Sequence, residues 1–402
     1  MPGGSDVLIL GAGPAGAATA IRAARAGLSV TLIDRARFPR DKPCSEYMSP
    51  ETVRHLGALG VLADLERAGG VAIAGTTVTG PRGSALTGLF ARAGTPFRPT
   101  GLSLRRQVLD AALVDGARKA GVEVLEEHTV TDLLYERGAV AGAAARIGDG
   151  SVRVLHARLT VGADGLRSIV ARRIGQRRHG FPARMAFVAH VAGVPDLTDR
   201  AELHVTNEGY AGVNPVGGGL ANIALVVPAG SAAGARGDVT AFALATLERI
   251  PGVRGRVRRD GIVRPFLVTG PFAARSRRVV TDGALLVGDA AEFFDPFTGE
   301  GICAALRGAE LATETAVEAL SASAAPRAAR LAPYQARRRA EFIGKWVIER
   351  MIGWGMLAPR LFDRAVERIE RRGLAHTLIG VTGDFIPPRE VLNPRFLAGM
   401  VL

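Results

Sequence analysis

The chain has 402 residues, 48% apolar and 22% charged, a length and balance that suit two packed domains and exclude a disordered or fibrous protein. Its two cysteines cannot make a disulfide framework, which points to a reducing, cytoplasmic compartment. The net charge of +13 is carried almost wholly by arginines spread along the chain without interleaved aromatics, which argues against a nucleic-acid groove.

The N-terminal MPGGSDVLILGAGPAG has no basic region and no cleavage site, and is expected to be a buried strand entering a turn. No run approaches the roughly 18 uncharged apolar residues of a membrane span. Residues 6–35 predict strand, glycine turn, helix and second strand. Gly11, Gly13, Pro14, Ala15 and Gly16 form a G-x-G-x-x-G turn: Gly11 for the tight bend, Gly13 for backbone approach to a pyrophosphate, Gly16 for close helix–strand packing. The following helix N-terminus offers free N–H groups to phosphates. The second strand ends at Asp34-Arg35, and Asp34 stands where an acid accepts ribose hydroxyls, disfavouring a 2′-phosphate and leaving NAD or FAD.

KPCSEYMSP (42–50) places Cys44 on the connection after that strand. Further on, LSLRRQVLDAAL (102–113) predicts a helix, and VEVLEEHTVTDLLYE (122–136) a strand. LTVGADGLRSIVARRIG (159–175) is an apolar strand entering Asp164-Gly165, with a helix carrying Ser168. Residues 181–274 change rhythm to short β-rich runs separated by glycine turns such as 217–219, with a covering helix at 238–250. GALLVGDAAEFFDPFTGEGICAALRGAELAT (283–313) is again a strand, entering Gly288-Asp289, then a glycine-punctuated loop and a helix. From about 330 the chain is helical and arginine-rich, with an apolar set (Phe342, Trp346, Ile348, Ile352, Trp354, Leu357, Leu361) expected to cover a substrate entrance, and a Pro-rich tail. No His/Cys cluster has ligand spacing, so no metal is expected.

In this order, the segments at 6–35, 159–175 and 283–313 resemble the three fingerprints of FAD-dependent oxidoreductases with the hydroxybenzoate-hydroxylase type of fold. The resemblance implies an α/β protein with a discontinuous Rossmann-type FAD-binding domain (residues 1–75, 100–180 and 275–330). An antiparallel β-sheet substrate domain (76–99 and 181–274) and a C-terminal helical segment (331–402) complete it. It implies that Asp289 binds the ribityl chain and that Pro296 and Gly299 to Ile302, Gly301 included, border the flavin ring, where backbone amides at a helix N-terminus favour its negative charge. Arg106 becomes a flavin or pyrophosphate contact, and Val130 offers backbone contacts near the adenine.

FPRDKPCSEYMSPETVRHLG and DPFTGEGI (295–302) resemble the geranylgeranyl-reductase branch, which begins its segment with a Lys-x-x-Cys-Gly turn. Two departures stand out: Ser45 replaces the glycine, and Gly212 replaces the tryptophan of an aromatic–small–Trp motif at Tyr210-Ala211-Gly212. The halogenase branch shares the scaffold, but its Trp-x-Trp-x-x-Ile segment and active-site lysine are absent. The expected substrate contacts are Cys44, Tyr47, Met48, Tyr210, Gly212, Asn214, Phe294 and Phe297, with Cys44, Tyr210 and Pro296 as catalytic candidates. Because Gly212 opens the cavity, the expected reaction is monooxygenation of an apolar aromatic or polyketide-like molecule through a flavin hydroperoxide, with NADH or NADPH as transient reductant. The alternatives are alkene reduction of an isoprenoid or other lipid, halogenation, or non-catalytic flavin binding. A small apolar substrate and weak membrane-surface association are the expected partners.

Overall fold

The computed structural model describes residues 4–175, 177–321 and 325–401. Its first layer is an eight-stranded sheet, whose order across the central path is Val280–Thr281, Ala284–Leu286, Val152–Gly162, Ser5–Leu10, Val30–Ile33 and Glu123–Leu125. The four pairings between Ala284–Leu286 and Glu123–Leu125 along that path are parallel, with Val7 opposite Leu159 and Val30. Parallel strands covered on both faces need unbroken apolar runs. Leu8, Ile9, Leu10, Leu32 and Ile33 are accordingly fully buried, each such side chain contributing about 1.5–3 kcal/mol. Helices Pro14–Arg25 and Gly301–Leu320 pack against one another over this sheet.

Residues 122–136 form two strands and not one, Glu123–Leu125 and Thr129–Glu136. Between them Glu127 takes a left-handed φ of 58°, and the turn lets the His128 amide donate to the Asp34 carbonyl at 2.8 Å.

The second layer is a seven-stranded sheet in the order Ile262–Thr269, Arg184–Ala192, Leu220–Pro228, Gly209–Pro215, Arg200–Thr206, Gly75–Thr79, Ala85–Leu89. It is antiparallel except where Arg200–Thr206 meets Gly75–Thr79 in parallel, because that partner arrives from a distant part of the chain. Period-two alternation sorts its side chains. Phe187, Ala211, Val213, Ile223 and Leu225 face helix Val239–Leu247, which Asp238 caps by accepting from the Ala241 amide at 2.8 Å. Ala186, Val188, Tyr210 and Val226 face the other way, toward the flavin-type domain and the C-terminal helices.

Helix Ala328–Gly355 begins inside the first domain's core, where Leu331 and Tyr334 are fully buried and the Tyr334 hydroxyl donates to the Leu286 carbonyl at 2.8 Å. Its far end, through Ile352 and Met356, packs on the inner face of the second sheet. The segment expected as a Pro-rich tail instead forms helices Ala375–Thr382 and Pro394–Val401. Among the described residues no helix is long and apolar enough to cross a membrane.

Candidate functional site: a cleft between the two layers

A cleft with about 1170 Å³ of empty space, part of it open to solvent, runs between the domains, and its two halves are built differently. One half is backbone and charge. Gly11, at φ 105°, and Gly16 are obligatory: a Cβ on Gly16 would lie 1.8 Å from the Gly11 carbonyl oxygen. Gly13 is open, its nearest neighbour being the Arg40 guanidinium at 3.8 Å, so the uncapped N-terminus of helix Pro14–Arg25 faces free space. Asp34 fastens the turn by accepting from the Ala12 amide at 2.8 Å. Its neighbour Arg35 is exposed and does not line the cleft.

Pro14, Ala15, Gly165, Gly288, Asp289, Pro296, Gly299, Gly301 and Ile302 all line this half, joined by Lys42 and Arg106. Arg106 binds Asp110 through two hydrogen bonds of 2.9 and 2.7 Å, and Arg40 reaches the same carboxylate at 3.0 Å. Burial disfavours the Arg106 charge, but Asp110 and Cys44 more than compensate and raise its pKa overall. Burial, with Arg106 and Arg40 nearby, pushes the Lys42 pKa down. Asp164 caps helix Ile169–Arg173 through Oδ2, accepting from the Ile169 amide at 2.6 Å, while its Oδ1 is buried without a partner. Burial pushes that carboxyl's pKa up. Ser168 spends its hydroxyl on the Ala171 amide at 2.9 Å and holds the turn without lining the cleft. Val130 pairs with Ala145 beside the Asp34 turn.

These features fit FAD. Open space over Gly13 at a helix N-terminus suits a pyrophosphate, and three cations converge there. Gly288, at φ 58°, would bring a Cβ within 2.8 Å of Ala15, so the Asp289 turn and the glycine turn meet where a ribityl chain would run.

Cys44 stands at the junction of the halves. Its sulfur accepts from the Glu46 amide at 3.3 Å and lies in hydrogen-bond contact with the Arg106 guanidinium, and Asn222 donates to its carbonyl at 2.8 Å. Behind it Glu46 is fully buried at φ 61°, a backbone conformation that costs about 1–3 kcal/mol in a residue other than glycine. Its carboxylate secures the turn, accepting from the Arg106 amide at 2.8 Å and meeting His190 Nε2 at 2.7 Å. Cys303 is a separate buried thiol on helix Gly301–Leu320.

The other half is apolar. Ala186, Val188, Leu203, Ala224, Val226, Phe272 and Phe293 line it, with Gly212 and Tyr210. Tyr210 donates its hydroxyl proton to Asp295 at 2.7 Å, and burial beside that carboxylate pushes the phenol pKa well above its usual value. Asp295 also binds Arg184 at 2.6 Å, and Arg184 donates to the Gly353 carbonyl at 3.1 Å, which ties the chamber wall to the C-terminal helix.

The expected substrate contacts therefore divide. Cys44, Tyr210 and Gly212 line the chamber; the other five do not. Tyr47 packs beneath Gly299 with its hydroxyl toward Thr76, and Met48 belongs to the first domain's core. Asn214 lies two residues along the strand from Gly212, on the same face, and donates to Ser103 at 2.7 Å. Phe297 backs Tyr210 edge-on, with ring centroids 5.1 Å apart. Phe294 turns into a second, polar cavity of about 570 Å³ beneath the flavin loop.

Glu292, Glu300, Lys345 and Glu349 line this second cavity, which touches the first through Gly288, Asp289, Gly301 and Ala305. Burial, helped by Asp384, raises the Glu300 pKa well above normal, and burial brings Glu349 up to about 7. Glu300, Cys303 and Asp384 place ligand-type atoms within 4.8 Å of one another, and the Lys345 ammonium on Asp384 supplies the positive charge there. Sequence reasoning missed Arg40, Asp295 and Arg184; a signal for Arg40 was available in its closeness to the Lys42-Pro43-Cys44 turn, but none existed for a pair 111 residues apart.

Comparison with known proteins agrees with this geometry. A family model described as "FAD binding domain" matches residues 4–345. The digeranylgeranylglycerophospholipid reductase of Methanosphaerula palustris is 31% identical over 85% of this chain and 83% of its own length. The menaquinone reductase of Mycolicibacterium smegmatis is 30% identical over 77% of this chain and 76% of its own. The crystal structure of a flavoprotein/dehydrogenase from Cytophaga hutchinsonii superimposes with a TM-score of 0.84 over 98% of this chain and 95% of its own, at 19% identity, a likeness of fold. The glycine turn, the Asp164 and Asp289 turns and these alignments together place the chain in the FAD-binding-domain family of oxidoreductases, in the group that contains the digeranylgeranylglycerophospholipid reductases.

Proposed function

We propose that the protein is an FAD-dependent reductase that saturates carbon–carbon double bonds in an isoprenoid lipid, with NADH or NADPH as reductant. The observation that carries this reading is a chamber walled by apolar side chains with one thiol at its flavin end whose sulfur accepts hydrogen bonds from the protein and donates none to it. The reported relatives support it, being named as reductases of a digeranylgeranyl phospholipid and of menaquinone.

When bound and reduced, FAD supplies a hydride. The chain's residues supply the rest. Ala186, Val188, Ala224 and Gly212 leave room for a branched hydrocarbon and offer it no hydrogen bond, so water is excluded without cost to an apolar ligand. Saturation also needs a proton. Tyr210 has committed its proton to Asp295, whereas the Cys44 sulfur only accepts bonds within the protein and keeps its S–H for the chamber. Cys44 thus gives the proton to the carbon neighbouring the one that takes the hydride, and Arg106 stands beside the sulfur to hold the thiolate that remains. Oxygen insertion into an aromatic, the reaction expected from Gly212, would use the same chamber but leave the thiol without a task.

Anaerobic incubation of the FAD-loaded protein with dithionite and a geranylgeranylated phospholipid tests the assignment. The expected product is heavier by one H₂ per saturated double bond, and Cys44→Ala should slow its formation by roughly a hundredfold or more while leaving flavin reduction by NAD(P)H intact. An unchanged lipid, together with NAD(P)H-driven oxygen incorporation into an aromatic in air, would replace this reading with monooxygenation.

A further inference from the structure

The C-terminal helices carry a surface that the chamber does not use. Five of the thirteen large hydrophobic side chains exposed among the described residues fall within residues 343–361: Ile343, Val347, Trp354, Leu357 and Leu361, exposed by 44, 42, 57, 55 and 52%. On helix Ala328–Gly355, positions 343, 347 and 354 lie within about 40° of one another around the axis, at the 100° per residue of an α-helix. Leu357 follows in the turn, its amide bonded to the Trp354 carbonyl at 2.9 Å, and Leu361 opens helix Pro359–Arg371. The exposed apolar side chains thus form a stripe that ends in a blunt helical tip.

The unpaired charges along this ridge and its tip have one sign. Arg339, Arg360 and Arg364 are exposed and have no acidic partner among the described residues. The acids of the same stretch are paired or turned away. Glu341 is exposed but bonds Arg307 at 2.9 Å. Glu349 lines the polar cavity, and Asp363 is buried, accepting from the Arg82 amide and the Ser84 hydroxyl. An apolar ridge flanked by unpaired arginines complements an anionic phospholipid surface, where guanidinium groups meet phosphates and the ridge enters the headgroup boundary. The chain's net charge of +13 acts in the same direction.

The tip is also joined to the cleft. Ile352 and Met356, interleaved with Trp354 and Leu357, point inward and pack on Ala186, Val188, Tyr210 and Val226, four residues that line the chamber. Arg184, bonded to Asp295 and to the Gly353 carbonyl, locks this turn to the chamber wall. We propose that residues 343–361 dock on an anionic bilayer and so bring the mouth of the apolar chamber to the membrane from which its substrate comes. The docking depends on the proposed function only for that last clause.

The test uses the full-length, FAD-loaded protein and sedimentation with phosphatidylglycerol vesicles. The protein should pellet with them, pellet several-fold less with phosphatidylcholine vesicles, and be released by salt. Trp354 emission should shift to the blue on binding, a change absent in Trp354→Phe. The double variant Trp354→Glu/Leu357→Glu, both exposed positions, should keep its FAD and lose vesicle affinity by about a hundredfold or more. Arg360→Gln/Arg364→Gln should weaken binding to phosphatidylglycerol without changing the weak binding to phosphatidylcholine. Failure of the native protein to pellet with phosphatidylglycerol, or equal pelleting by the double glutamate variant, overturns the proposal. So does a concentration-dependent dimer abolished by Leu357→Glu, which would assign the ridge to a second copy of the chain. Vesicle binding without activity on isoprenoid lipids would retain the docking and reject the assigned reaction instead.

Discussion

The two halves of the cleft take a ligand by opposite means. The flavin half is made of turns whose backbones approach closely, with three cations and the carboxylates of Asp34, Asp110, Asp164 and Asp289 in fixed positions; a methyl group in the wrong place there has nowhere to go. The apolar half is made of one face of a sheet, where the side chains are small and a Cβ on Gly212 would meet Leu203 and Ala224 at ordinary distances of 3.6 and 3.8 Å. A cofactor common to many reactions sits against rigid, local geometry. Substrate shape is left to side chains that can be exchanged singly, which is how one scaffold comes to serve different chemistries.

Adding the same methyl group to each half puts the contrast to its hardest test. Gly16→Ala should cost about 3 kcal/mol or more, because the new Cβ must displace the Gly11 carbonyl, and the purified protein should be largely free of FAD. Thermal unfolding and flavin content measure this. A variant with native melting temperature and full flavin would show that the turn is softer than its contacts imply.

The polar cavity beneath the flavin loop should separate from both halves by its pH response. Burial holds the Glu349 carboxyl at about 7, against about 4.3 in an unfolded chain. The folded state therefore prefers the protonated form. Its stability is fully present below about pH 4 and falls as pH rises through about 7, by on the order of 3 kcal/mol in all. Glu349→Gln should flatten that decline, so the melting-temperature difference between variant and native protein should grow from about pH 5 to about pH 8. An identical pH profile for the two would mean that Glu349 does not titrate in this range.

Removing one polar group from each half gives smaller, distinguishable effects. Asp289→Ala should weaken FAD binding by about 1.5–3 kcal/mol, the range for a charged acceptor, as read by flavin titration of the apoprotein. Tyr210→Phe should cost about 1 kcal/mol of folding stability, since Asp295 keeps Arg184 and the Phe297 amide, and should leave flavin affinity unchanged. Loss of flavin in the tyrosine variant would show that the halves are not independent.

The smallest expected effect is the most informative about substrate. Gly212→Ala should change stability by less than about 0.5 kcal/mol. Gly212→Trp restores the side chain that the geranylgeranyl-reductase branch carries there; it should retain FAD and turnover of a slim prenyl chain but exclude wider, ring-bearing substrates, with flavin reduction preserved. Equal turnover of both substrate classes by the tryptophan variant would move the binding path elsewhere in the cleft.

Much of the flavin half was legible from the sequence because it is built of short contiguous stretches. Gly11 to Gly16, Asp164-Gly165, Gly288-Asp289 and Gly299 to Ile302 each specify a local backbone conformation, and a local conformation can be read from its own residues. The place of Cys44 was legible for the same reason. What only tertiary structure decided is which side chains share a space. Tyr47 and Met48 looked like substrate contacts beside Cys44, but pairing of their short strand with residues 102–103 turns one beneath Gly299 and the other into the core. Asn214 shares a face with Tyr210 and Gly212 yet extends past the chamber to Ser103. Asp295 and Arg184 meet across 111 residues, and Trp354 is exposed while Met356, two positions on, is buried. Periodicity names a face; the packing of one element on another determines what that face meets.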